Sequence, residues 1–218
     1  MSSTDSSVEG RAVDAQSRTE PGTNAIVADR PPLPLPCAIR SLGRCALTTV
    51  LLLCRRAIRQ PKVRLGQVLR FGDGSGGRVY RETVVERGAD DAPALLVVAF
   101  RLRWVRGWGH ALFRAESLLN TPLFVGFPGF VSKLWCAHDE NDVYRGFYQW
   151  NGPALADAYV RALWWVLALV SVRDSIHYVV VPGVRRDDVL ADPTVLERAA
   201  PGPRPAWWWL VAVEPPRP

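Results

Sequence analysis

Lysine is nearly absent from this 218-residue chain: Lys62 and Lys133 are the two among 27 basic residues. Histidine is scarce at three (His110, His138, His177), and the four cysteines, Cys37, Cys45, Cys54 and Cys136, contain no Cys-x-x-Cys pair. Zinc asks for four clustered nitrogen or sulfur ligands, so no metal site is expected. The cysteine spacing makes no disulfide framework, and reduced thiols in a cytoplasm are the simplest reading. Long apolar runs are lacking too. Residues 46–53 are uninterrupted but far shorter than the roughly 20 residues a membrane span needs, and the apolar run from Ala154 to about Val172 is too short and too broken by Arg161 for a span. Acid is missing from residues 37–62, where Arg40, Arg44, Arg55, Arg56, Arg59 and Lys62 carry +6, whereas residues 1–36 carry −2. The body is left near neutral, which excludes a broad nucleic-acid groove. An anionic partner would meet one short segment.

What is plentiful is arginine, an excess that reads first as the composition of a high-GC bacterial genome. Tryptophan is plentiful as well, at nine residues, and points to large aromatic surfaces in a core, pocket or interface. With 48% hydrophobic residues and mean hydropathy near zero, the chain suits one globular domain with tails.

Residues 1–36 are rich in Ser, Thr, Asp, Pro and Gly and end in a proline-rich run, so a disordered tail is expected. Residues 37–62 form a basic amphipathic helix and linker. Ile39, Leu42, Ala46, Val50, Leu53 and Ala57 step at three and four. Either this helix packs on the domain with its arginines solvated, or it lies through residues 38–62 on an anionic membrane surface, peripheral to a cytoplasmic body. The domain spans 63–200, and a C-terminal strand and tail take 201–218.

Val68–Phe71 and Arg78–Glu86 flank Gly72-Asp73-Gly74-Ser75-Gly76-Gly77. The spacing matches Gly-x-Gly-x-x-Gly, but a strand-like run follows where a dinucleotide site needs a helix, so a hairpin turn is expected. Leu95 to Trp104 reads as a strand and His110 to Leu119 as a helix. A hairpin follows around the polar cluster His138 to Asp142, then a helix from Ala154 to about Val172, opened by Pro153, and a strand from Ser175 to Val181. That last helix is apolar on more than one side and asks for a partner surface or extra chain.

The order from Leu95 is βαββαβ, which predicts an α+β, ferredoxin-like sheet with two helices on one face, extended by the early hairpin and the C-terminal strand. The run Phe127-Pro-Gly-Phe-Val-Ser-Lys-Leu-Trp135, leading into Tyr144-Arg-Gly-Phe-Tyr-Gln-Trp150, resembles the YdhR-like monooxygenase family of the dimeric α/β-barrel superfamily over about residues 94–182. Members usually carry Gly-Gly where this chain has Arg145-Gly146. The resemblance implies a homodimer, whose second copy covers the sheet's other face. It also implies a pocket between sheet and helices, and oxygen chemistry on a small aromatic or apolar substrate.

Mostly apolar pockets with few polar groups are the usual small-molecule sites. Trp104, Trp135, Tyr148 and Trp150 fall on core strands and are the expected ligand-binding set. A cofactor-independent oxygenase must stabilise a substrate carbanion, and Asn120, a Trp N–H and a Tyr hydroxyl can donate to it. His110 and Glu116 are the expected acid–base pair, with Asn120 completing the catalytic group. No axial-ligand set or phosphate loop calls for haem or flavin, so no cofactor is expected. The alternative is a non-catalytic ligand-binding or assembly protein, favoured by the lack of a strong acid–base or metal constellation. A Cys136–His138 nucleophile pair, sharing a strand face, is a weaker reading because nothing visible orients the imidazole, and so is a His138-Asp139-Glu140 metal site, since neighbours in a turn diverge.

Overall fold

A computed structural model describes residues 26–86, 91–103 and 124–216. The strands arise where β-branched and aromatic residues concentrate. They are β1 (Val27–Ala28), β2 (Ile58–Arg59), β3 (Val68–Phe71), β4 (Gly76–Val85), β5 (Pro93–Arg101), β6 (Phe130–Cys136), β7 (Val143–Asn151), β8 (His177–Pro182) and β9 (Leu210–Glu214). The helices are α1 (Leu35–Cys54), α2 (Pro153–Val170), α3 (Arg186–Ala191) and α4 (Val195–Ala199). The strands join in one antiparallel sheet in the order β1-β8-β5-β7-β6-β4-β3-β9, with β2 paired to β4.

This overturns the ferredoxin-like expectation. The described residues form a nine-stranded sheet that curls into a half-barrel, richer in strand than a four-stranded sheet under two helices. The cause is edge pairing. A β6 left at the edge would present a row of unpaired backbone groups. Instead β4 pairs with it from Val79–Cys136 to Val84–Ser132. β3 then pairs with β4, and β9 with β3. At the other end β1 covers β8, so residues 27–28, read within a disordered tail, join the sheet.

Both faces of the sheet are buried, which explains the continuous apolar run of β5. Ala94, Leu96 and Val98 enter one core layer; Leu95 and Val97 enter the other. The first layer lies beneath α2 and α1, and α1 is the extra chain that the apolar α2 required. The second layer was expected to be covered by another copy. It is covered instead by α3, α4 and the C-terminal segment, where Leu196, Trp208 and Leu210 are buried against Leu69, Phe71, Val179 and Val181.

Helix α1 sits closer to the domain than its sequence pattern implies. The residues buried along it are the small ones, Ala38, Cys45 and Thr49. Gly126 explains why: a methyl group there would overlap the Cys45 carbonyl oxygen and crowd Thr49. The apolar stripe at Ile39, Val50 and Leu53 consequently faces outward. The helix ends at Cys54, inside the segment 37–62, because Arg56 takes a positive φ and the chain turns into β2.

Candidate functional site

Pairing across the sheet places Thr83, Lys133, Tyr148 and Leu96 in one row. The next row holds Arg81, Trp135, Gly146 and Val98. Side chains two apart on a strand share a face. Lys133 and Trp135 therefore both point under the helices, where Trp135 and Tyr148 belong to the first core layer.

Lys133 is only 7% exposed. Its Nζ lies 3.2 Å from the centroid of the Trp135 ring, 4.7 Å from that of Tyr148 and 4.9 Å from that of Phe124. Among the described residues it makes no hydrogen bond and no ion pair; its contacts are aromatic faces. The Arg81 guanidinium carbon lies 3.9 Å from the Trp135 ring centroid. One indole thus touches two buried basic side chains.

Burial pushes the Lys133 amine well below the ordinary lysine range, and the neighbouring Arg81 charge acts in the same direction. A charged ammonium loses water here and gains only ring faces in return. The phenols respond oppositely. Burial raises Tyr148 and Tyr159 above the ordinary tyrosine value, so both remain protonated donors near neutrality. The Tyr159 hydroxyl donates to that of Tyr148 at 3.4 Å. The Trp135 indole N–H donates to Thr83 Oγ1 at 3.2 Å. The box therefore offers one amine able to accept a proton, one hydroxyl donor at Tyr148 backed by Tyr159, and a fixed cation against an indole.

Gly146 is required beside it: a methyl group there would sit 2.5 Å from the Tyr148 ring. Arg145, which replaces a usual glycine of the resembling family, does not enter the box. It turns to the opposite face, where it pairs with Asp139 at 2.6 Å and with Asp73 at 3.2 Å, and donates to the Trp207 carbonyl at 3.0 Å. On that same face Arg186 pairs with Glu82 at 2.6 Å, and its backbone N–H donates to Gln149. These ion pairs tie the C-terminal cover to the sheet.

Of the expected ligand-binding residues, Trp135 and Tyr148 come together at Lys133. Trp150 is solid core, fully buried at 4.8 Å from Tyr159 and 5.6 Å from Phe130 between ring centroids. Trp104 and the expected catalytic group His110, Glu116 and Asn120 lie outside the described residues. Cys136 faces the second core layer, where burial pushes its thiol up to about 12, no nucleophile at neutral pH. Asp139 is committed to Arg145 and to the backbone N–H groups of Asn141 and Val143. Among the described residues no group of three or more His, Cys, Asp or Glu is placed to hold a metal ion. His177 pairs with Asp29 at the sheet edge, 3.0 Å away.

Lys133 and Arg81 were missed by sequence reasoning. A signal existed: one of two lysines in an arginine-dominated chain stands mid-strand, two residues before a tryptophan. Fold and site together define a curled antiparallel sheet protein with a buried amine in an aromatic box. Comparison of the chain with protein-family models and with curated proteins finds no match.

Proposed function

We propose that the protein binds a small aromatic molecule with an ionisable hydroxyl group under the helices. Lys133 takes the proton of that group, and Arg81, across Trp135, balances the anion left behind. The observation that carries the reading is Lys133 itself: a lysine nine-tenths buried, without a carboxylate, held against Trp135. Structural lysines of that depth are normally paired. An amine with lowered basicity is suited to general-base work near neutral pH.

The reaction this would serve is cofactor-independent oxygenation, the activity that the YdhR-like resemblance implies. Loss of the hydroxyl proton makes the ring system electron-rich enough to react with oxygen directly. A ring CH2 becomes C=O with one oxygen atom, and the other leaves as water with the two hydrogens. The substrate thereby supplies all four electrons. Tyr148, itself accepting from Tyr159, would donate to the developing oxyanion.

The test titrates a hydroxyanthrone, which carries both a phenolic hydroxyl and a ring CH2, against tryptophan fluorescence, with and without oxygen, and follows oxygen uptake. Quenching is expected for the wild type, with affinity reduced about tenfold or more in Lys133→Met. Uptake above the uncatalysed background, lost in that variant, supports the enzyme. Binding without uptake supports the non-catalytic alternative. Equal affinity in wild type and variant overturns the site.

A further inference from the structure

The exposed side of α1 carries two features that belong together. One is apolar: Leu35, Ile39, Leu47, Val50 and Leu53 are all exposed, Leu47 at 71% and Ile39 at 60%. At 100° per residue these five fall within about one third of the helix circumference. The other is basic: Arg40, Arg44 and Arg55 follow along one border of that stripe, and Arg56 and Lys62 stand just beyond the helix. Among the described residues none of these five cations makes an ion pair; Arg59 alone in the segment does, with Glu86 at 2.9 Å. The inward side is already used, by Ala38, Cys45 and Thr49 against the domain.

A groove of about 440 Å³ opens beside the helix. Leu47, Thr48, Phe127, Pro128, Leu155 and Ala158 line it, with Arg44 among them. It shares Leu47 with the apolar stripe and Arg44 with the basic border, so stripe, border and groove make one continuous surface. Its lining is predominantly apolar.

We infer that this surface docks on an anionic phospholipid bilayer, with α1 lying in the plane of the interface. Charge decides between this occupant and a second copy of the chain. Two copies meeting through α1 would bring Arg40, Arg44 and Arg55 against their equivalents, and residues 37–62 hold no acid to offset them. A bilayer of phosphatidylglycerol supplies the missing negative charge and an acyl layer for the leucines. By length and composition α1, like α2, could also span a bilayer, although its uninterrupted apolar run alone is too short. Its burial against Gly126 and the bond from the Trp165 indole N–H to the Leu33 carbonyl, 2.8 Å, hold it along the domain instead.

The full chain is sedimented with phosphatidylcholine vesicles and with vesicles containing about one third phosphatidylglycerol. Binding is expected for the second set alone and should be released by high salt. Arg40→Gln, Arg44→Gln and Arg55→Gln together should weaken it about a hundredfold. Leu47→Gln with Val50→Gln should weaken it independently. All five side chains are exposed, so the unfolding midpoint is expected to stay at the wild-type value in both variants, which separates lost docking from lost fold. Equal binding to neutral vesicles, salt-resistant insertion, or no binding overturns the inference. So does a wild-type dimer that the leucine and valine substitutions dissociate, because it would show that another copy occupies the face.

Discussion

At the scale of single residues, Lys133 carries a pH dependence whose sign is fixed by its surroundings. Burial lowers its pKa in the folded chain, whereas the unfolded chain titrates near 10.4. Between those values the unfolded state binds more protons, so stability rises with pH across that window. Below the folded value both states hold the proton, and the native state bears the full cost of a buried charge. Lys133→Met is therefore expected to be more stable than wild type at neutral pH, by about 1 kcal/mol or more. The difference should shrink as pH approaches about 10, and urea unfolding from pH ~6 to ~10 measures it. A variant less stable than wild type throughout would show that the amine is a structural asset. The site was half legible here. Trp135 and Tyr148 stood out as strand aromatics, but cross-strand register decides that Lys133 and Arg81 flank one indole.

At the scale of elements, the hairpin of β6 and β7 was readable because period-two patterning and a polar turn are local signals. Helix α1 was readable as a helix, but its orientation was not. Spacing marks Ile39, Val50 and Leu53 as the face to bury, whereas packing buries Ala38, Cys45 and Thr49 because the Gly126 backbone admits only small side chains. Gly126→Ala should push α1 off the domain and cost about 1–3 kcal/mol in denaturant unfolding. Easier proteolysis within residues 35–54 should accompany that loss. An unchanged unfolding midpoint would mean that α1 contributes nothing to the fold.

At the scale of the whole molecule, the second face of the sheet is closed by the chain's own C-terminal segment. Trp208 and Leu210 are buried there, and β9 supplies the last strand. A chain ending at Ala200 loses all three. Removal of Trp208 alone should cost about 3–5 kcal/mol. The truncated chain is expected to lose its cooperative thermal transition and to bind a hydrophobic dye, as followed by near-ultraviolet circular dichroism and dye fluorescence. A transition retained at the wild-type temperature would show that some other cover suffices.

The sequence by itself marked the hairpin of β6 and β7 and the helix opened by Pro153, because periodicity, proline and glycine act within a few residues of their position. It also determined the charge imbalance that leaves residues 37–62 basic. Tertiary structure alone decided that nine strands share one sheet and that a basic amine lies against Trp135. Strand pairing and burial depend on partners far away in the chain: β4 meets β6, and β3 meets β9 across about 140 residues. No local pattern specifies which distant edge will satisfy an exposed row of backbone groups.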